Sequence, residues 1–131
     1  MVEFGPILCD HSGMRPTALI VDDHAAFRAS AKTLLQDEGF QVVGEAEDGR
    51  SALELARALD PDLVLLDVAL PDLSGLDVAE RLAGSHSKVV LVSSRRPDDF
   101  GARFRQAPVV GFISKDELSG TALAELLQES A

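Results

Sequence analysis

Residues 62–75 read DLVLLDVALPDLSG, and their pattern is the strongest indication of the architecture of the chain. It begins with an apolar run, 63–66, whose lack of polar alternation is typical of a strand buried on both faces of a parallel sheet. The run ends at Asp67, and the turn signals Pro71 and Gly75 follow before a helical pattern begins. The sequence therefore predicts a carboxylate at the C-terminal end of a central strand, where open α/β sheets bind their ligands.

The composition is that of one globular domain. The chain has 131 residues, 46% of them apolar and 26% charged, which is enough for a single core. Its one cysteine, Cys9, excludes an internal disulfide and a cysteine-based zinc site. No apolar run is long enough to cross a bilayer and no secretory signal is visible, so we expect a cytoplasmic location and no membrane partner. The net charge of -10 argues against direct contact with nucleic acid and suits protein partners and a cation.

The domain is predicted to occupy residues 17–131. Glycine and proline interrupt any periodicity in residues 1–16, so we expect a flexible N-terminal extension there, and Met14 could be the natural start. The sequence ends soon after the last predicted helix, so we expect no output domain within it. A stand-alone protein and a domain cut from a longer transcription factor both fit this pattern.

Five apolar runs alternate with five helical patterns along the chain. Such alternation predicts a parallel sheet covered on both faces by right-handed crossovers. The short length favours the flavodoxin-like strand order 2-1-3-4-5. The predicted strands are 18–21, 40–46, 63–66, 88–92 and 109–114, and the helices follow residue 23, then span 48–60, 75–83, 97–106 and 116–128.

Polar side chains follow four of the five apolar runs. Asp22 and Asp23 follow the first run, Asp67 the third, Ser93 the fourth and Lys115 the fifth. Because strands one and three are neighbours in this order, we expect the three carboxylates to crowd together and to raise one another's pKa. Mg²⁺ relieves such crowding, keeps several waters and accepts a phosphate oxygen. With a hydroxyl and an ammonium nearby, the pattern favours phosphoryl transfer, which needs mainly positioning and charge neutralisation.

Together these residues resemble the receiver domain of two-component response regulators. The resemblance covers about residues 17–129. The lysine–aspartate pair at 115–116 is similar to the residues at this position in receivers of LuxR-type, nitrate-response helix-turn-helix regulators. The motifs that carry it are Asp22-Asp23, Asp67, Leu70-Pro71, Gly75, Ser93, Gly111-Phe112 and Lys115.

The resemblance implies a role for each residue of the acidic site. Asp67 would be the phosphoacceptor, taking a phosphoryl group from a sensor histidine kinase or a phosphotransfer protein. Asp22 and Asp23 would bind Mg²⁺ or Mn²⁺ together with Asp67 and the backbone carbonyl of Ala69. Lys115 would pair first with the carboxylate and then with the phosphoryl group.

The resemblance also implies a switch. Ser93 would bond the phosphoryl oxygen, and Phe112 would rotate inward as Ser93 moves. The fourth helix, fifth strand and fifth helix would form the output face and the candidate homodimer interface. The domain would be a switch with self-catalysed phosphorylation and dephosphorylation rather than an enzyme.

Other classes of protein stay open on the residues alone. A small hydrolase with Asp67 as nucleophile would need a second aspartate two positions on, where Ala69 stands. A phosphorylation-independent interaction domain, a pseudo-receiver, is disfavoured by the intact acid cluster and by Lys115. His24 is expected to be solvated rather than a ligand. Ala69 and Arg95 occupy positions that tune phosphoryl lifetime in the family, so the resemblance does not give that lifetime.

Overall fold

The structure, a computed structural model, describes residues 15–94 and 101–129. In this part of the chain five parallel strands form one sheet in the order β2-β1-β3-β4-β5, which confirms the predicted flavodoxin-like order. The strands are β1 Thr17–Val21, β2 Gln41–Ala46, β3 Leu63–Asp67, β4 Lys88–Ser93 and β5 Gly111–Ser114. The predicted extension before residue 15, the position of Arg95 and the predicted helix start at Pro97 lie outside the described residues.

Helices cover both faces of this sheet. Their bounds are α1 Ala25–Asp37, α2 Gly49–Leu59, α3 Gly75–Leu82, α4 Gly101–Arg105 and α5 Gly120–Glu129. The buried side chains of α2 and α3 join the core on one face, and those of α1 and α5 join the core on the other. Among the described residues, no helix is both long and apolar enough to span a bilayer.

Strand β3 is the centre of the molecule, and every one of its residues is buried. Val64 and Leu66 face the α2–α3 layer, whereas Leu63 and Leu65 face the α1–α5 layer. Successive side chains of a strand point to opposite faces, so a strand with helices on both sides must be apolar at every position. This is why the run 63–66 shows no polar alternation.

Strand register brings the predicted site residues to one edge of the sheet. Val21 pairs with Leu66, so the residues that follow them, Asp22 and Asp67, lie side by side at the C-terminal ends of β1 and β3. Asp67 pairs in turn with Val92, one residue before the end of β4.

The fifth helix begins later than predicted. We expected it to start at Asp116, but residues Lys115–Glu117 form a 3-10 turn and α5 starts at Gly120. Ser119 supplies the helix start, because its hydroxyl accepts a hydrogen bond from the backbone N–H of Ala122 at 3.0 Å. A serine in this position is a strong N-cap signal, and the apolar periodicity used for the prediction does not register it.

Candidate functional site

Four potential metal ligands converge where β1 and β3 end. Ligand atoms of Asp22, Asp23, His24 and Asp67 all lie within 4.8 Å of one another. Asp22 is fully buried and Asp67 is 3% exposed, whereas Asp23 and His24 lie at the rim in contact with solvent. The structure thus brings the three predicted carboxylates together and adds an imidazole.

The Lys115 ammonium lies among these carboxylates. Its Nζ is 2.6 Å from Oδ2 of Asp22 and 3.6 Å from Oδ2 of Asp67. The side chain of Lys115 is only 16% exposed, so its charge is poorly screened by water. The lysine follows β5, two strands away from β3, and reaches back across the sheet edge to both acids.

The pKa of Asp67 is raised from 3.8 to about 6. Burial of the carboxyl is the main cause, and the charge of Asp22 adds to it. Lys115 lowers the same pKa, as does a hydrogen bond of 3.2 Å that the backbone N–H of Ala69 donates to Oδ1. A smaller repulsion from Asp23 raises it again. Asp67 is therefore ionised at neutral pH, although burial and the neighbouring aspartates disfavour its charge.

The donor set fits a hard divalent cation. Oδ2 of Asp22 is buried and accepts no hydrogen bond of proper geometry, although the Lys115 ammonium lies close to it. Three carboxylates crowded around one point carry more negative charge than one ammonium neutralises. Mg²⁺ binds oxygen ligands of this kind from one or two carboxylates and keeps several waters. Asp22, Asp23 and Asp67 can therefore hold such an ion.

The two predicted switch residues occupy β4 and β5. Ser93 ends β4, is 1% exposed and pairs with Ser114 in the sheet register. Phe112 is half-buried on β5 and packs against the core of the α2–α3 face. Both therefore lie on strands that lead to the site, and Lys115 directly follows the strand that carries Phe112.

Three side chains at the start of α1 were not predicted to belong to the site. His24 Nδ1 lies 3.2 Å from Asp22 and 3.0 Å from Asp23. The ring centroid of Phe27 lies 4.5 Å from the Lys115 ammonium. Arg28 donates from Nη1 to the backbone carbonyl of Asp22 at 2.7 Å. Their position at the start of α1 puts them beside the acid pair, but sequence alone does not give the rotamers that turn them toward it.

The loop after Asp67 is anchored to the start of α2 by Asp72. Its carboxylate accepts hydrogen bonds from the backbone N–H groups of Gly49 at 2.7 Å and Arg50 at 3.0 Å. These bonds, the Gly49 bond foremost, lower the pKa of Asp72. Farther along, Gly75 is packed so closely on Val68 that a Cβ would lie 2.8 Å from the Val68 Cα. The loop therefore has fixed contacts at both ends.

Comparison with known proteins gives the class of this chain. The family model for the response regulator receiver domain matches residues 18–128, so the chain belongs to that family, the signalling receivers of two-component systems. The receiver domain of the putative response regulator NarL from Mycobacterium tuberculosis is 30% identical, with a TM-score of 0.78 over 89% of this chain and 96% of the other. A CheY-like receiver domain from Methylobacillus flagellatus has the same identity and TM-score, over 89% of this chain and 99% of its own.

Curated relatives are longer than this chain. Response regulator GacA of Pseudomonas viridiflava is 42% identical over 84% of this chain and 51% of its own length. The BvgA protein of Bordetella pertussis, named a putative positive transcription regulator of virulence factors, is 38% identical over 76% of this chain and 48% of its own. The chain therefore spans about half the length of these relatives.

Proposed function

We propose that this receiver accepts a phosphoryl group on Asp67 from a sensor histidine kinase or a phosphotransfer protein. The observation that carries the proposal is the position of Asp67, a buried carboxylate grouped with Asp22 and Asp23 and facing the Lys115 ammonium at 3.6 Å. A buried aspartate with a raised pKa and a nearby cation is a candidate nucleophile for an anionic group.

The transfer needs little beyond position and charge. An ionised carboxylate oxygen of Asp67 attacks phosphorus, a P–O bond forms, and the P–N bond to the donor imidazole breaks with its electron pair going to nitrogen. Lys115 then lies close enough to move from the carboxylates to the new phosphoryl oxygens. Such transfer depends mainly on alignment and on neutralising the charge of the equatorial oxygens.

Asp22, Asp23, Asp67 and the backbone carbonyl of Ala69 are proposed to hold Mg²⁺ or Mn²⁺. The ion would neutralise phosphoryl oxygens while the transfer occurs. Support comes from the crowded carboxylates, whose negative charge the single Lys115 ammonium does not balance. Arg28 fixes the carbonyl of Asp22 and so holds the loop that carries the acid pair.

The output face is proposed to be α4, β5 and α5, switched by Ser93 and Phe112. β5 is an edge strand that carries Phe112, and Lys115 directly follows it. A charge change at the site therefore reaches this face through one short strand. We propose that the same face forms a homodimer. We also propose that the domain makes no contact with nucleic acid, because the chain carries a net charge of -10. Light scattering with and without a phosphoryl donor measures the dimerisation.

Residues 17–131 are proposed as the receiver unit, with residues 1–16 as an extension that precedes it. The family match over residues 18–128 supports this division. The receiver is proposed to dephosphorylate itself rather than to turn over a substrate.

Phosphorylation with a small donor tests the proposal directly. Wild type, Asp67→Asn and the control Asp37→Asn, an exposed aspartate on α1, are incubated with acetyl phosphate and Mg²⁺ and weighed by mass spectrometry. We expect wild type and the control to gain one phosphoryl group, Asp67→Asn to gain none, and chelation of Mg²⁺ to prevent the gain. A gain that survives Asp67→Asn would overturn the assignment. The absence of both a gain in wild type and Mg²⁺ binding at millimolar concentration would indicate a phosphorylation-independent interaction domain.

A further inference from the structure

His24 is turned toward the carboxylate cluster although its side chain is 70% exposed. Its Nδ1 contacts Oδ1 of Asp22 and Oδ1 of Asp23 at 3.2 and 3.0 Å. Its backbone N–H also donates to Oδ1 of Asp22 at 2.8 Å, which fixes the position of the residue. Burial does not hold this ring in place, so the two carboxylate oxygens orient it.

Helix capping does not account for the histidine. His24 occupies the N-cap position of α1, and its side chain makes no capping hydrogen bond. Serine, aspartate and asparagine are the residues that stabilise this position, and histidine is not among them. By contrast, Asp48 caps α2 through a hydrogen bond of 2.8 Å from the Ser51 backbone N–H. The imidazole is therefore directed at the acid cluster and leaves its own helix uncapped.

The surroundings already contain what a mixed nitrogen and oxygen site needs. The ligand atoms of the histidine and three aspartates lie within 4.8 Å of one another. The exposed ring can rotate without disturbing the core. An all-oxygen set suits Mg²⁺, whereas an imidazole suits the later first-row cations Co²⁺, Ni²⁺ and Zn²⁺.

We propose that His24 adds its Nδ1 as a nitrogen ligand to the cation site and so gives the site a preference for Co²⁺, Ni²⁺ or Zn²⁺ over Mg²⁺. The inference rests on the proposed cation site, but it concerns which metal that site selects. Mg²⁺ uses the carboxylates alone, and the later cations use the carboxylates and the imidazole together. In a cell with a surplus of such a cation, that cation would then occupy the pocket in place of Mg²⁺.

Calorimetry measures the preference. The chain has no tryptophan or tyrosine, so heat of binding replaces intrinsic fluorescence as the signal. Kd values for Mg²⁺ and Ni²⁺ are compared in wild type, His24→Asn and His86→Asn. We expect His24→Asn to weaken Ni²⁺ binding by about tenfold or more, with a much smaller change for Mg²⁺, because only the later cation uses the nitrogen. An equal change for both metals would overturn the proposal.

His86 is the matched control because it is the other histidine among the described residues and also lies between two carboxylates. It contacts Asp60 at 3.0 Å and Asp62 at 3.1 Å, away from the acid cluster. Zn²⁺ is diamagnetic, so imidazole ¹⁵N spectra report which ring binds. We expect the Nδ1 signal of His24 to move as Zn²⁺ is added and to lose this response in Asp67→Asn. Movement of the His86 signal alone would place the nitrogen ligand elsewhere and overturn the proposal.

The proposed phosphorylation is tested separately, on the wild-type chain with Mg²⁺ alone. A chain that binds Ni²⁺ through His24 but takes no phosphoryl group would overturn the proposed function and leave the metal preference standing. A chain that is phosphorylated on Asp67 but loses nothing in Ni²⁺ affinity on His24→Asn would do the reverse.

Discussion

The Lys115 ammonium lies 2.6 Å from the buried Oδ2 of Asp22, an ion pair that joins the ends of β5 and β1 across two intervening strands. The same ammonium is 3.6 Å from Asp67. In this structure the lysine is therefore closer to the neighbouring acid than to the proposed phosphoacceptor. Its influence on Asp67 acts through charge at a distance, and it lowers the pKa of that carboxyl against burial and two like charges.

Replacing Lys115 with methionine tests this balance. Because the ammonium lowers the pKa of Asp67, we expect Lys115→Met to raise that pKa above its value of about 6. The carboxyl ¹³C signal of Asp67 followed against pH gives the midpoint. Lys32→Met, an exposed lysine on α1, is the control and should leave the midpoint in place. An unchanged midpoint in Lys115→Met would mean that solvent screens the lysine from Asp67.

Asp67 itself is expected to make the metal-free protein less stable as pH rises. Its pKa is about 6 in the folded chain and 3.8 as the ordinary value, so the folded state binds more protons between these limits. The stability that protonated Asp67 contributes to the folded state is fully present below pH 3.8 and is lost as pH rises through about 6. The difference between these two pKa values of Asp67 corresponds to about 3 kcal/mol in the free energy of unfolding.

Denaturant unfolding of Asp67→Asn in EDTA measures this loss. The amide carries no charge, so we expect the variant to be more stable than wild type at neutral pH by up to about 3 kcal/mol and to lose this advantage under acidic conditions. Asp37→Asn serves as the exposed control and should show a smaller difference. Added Mg²⁺ should stabilise wild type more than Asp67→Asn, by mass action. Equal stability of wild type and Asp67→Asn at all pH values would contradict the raised pKa.

The parts of this architecture that sequence could predict are those set by local pattern. The apolar run of β3, the polar residues after four of the five strands and the strand order require only periodicity and connection rules, and the structure bears out the order. The contacts of Asp72 with Gly49 could not be read in this way, because they join residues 23 apart in sequence. The orientation of His24 depends on a side-chain rotamer set by its neighbours, which no spacing rule contains.

Phe27 is expected to stabilise the position of Lys115. Its ring centroid lies 4.5 Å from Nζ, within the range of a cation–π interaction. A double-mutant cycle of Phe27→Leu and Lys115→Met should give a coupling of about 0.5–2 kcal/mol in the free energy of unfolding. The same cycle with Lys88→Met, at the opposite end of the sheet, should give none. Equal couplings in the two cycles would show that the ring only fills space.

Asp72 is expected to hold the start of α2 against the loop that follows Asp67. Asp72→Ala removes the acceptor of the Gly49 and Arg50 amides, and Asp72→Asn keeps one acceptor oxygen. We expect hydrogen exchange of these two amides to speed up most in the alanine variant and less in the asparagine variant. The lowered pKa of Asp72 also sets how stability depends on pH. The stabilisation is present above the ordinary pKa of aspartate and is lost as pH falls through the pKa of Asp72 in the folded chain. Exchange rates that match wild type in both variants would show that water satisfies these amides equally well.

Arg103 is expected to restrain α4. Its guanidinium donates to Glu80 at 3.0 and 3.2 Å and to Asp77, which also accepts from the backbone N–H of Ser74 in the capping box of α3. The described part of α4 is thus tied to the helix that follows the Asp67 loop. These groups are exposed, and ion pairs in water are weakened by salt.

Arg103→Gln should therefore speed hydrogen exchange in residues 101–105 at low ionic strength, and the difference should shrink at high salt. Arg105→Gln, an exposed arginine on the same helix, is the matched control. The central strands should exchange at unchanged rates in both variants, because every residue of β3 is buried and its core is untouched. In wild type we expect α4 to exchange faster than those strands, as its place in the proposed output face requires. Protection of α4 equal to that of β3 would contradict its expected mobility. Equal loosening by Arg105→Gln would mean that the Arg103 ion pairs do not restrain the helix.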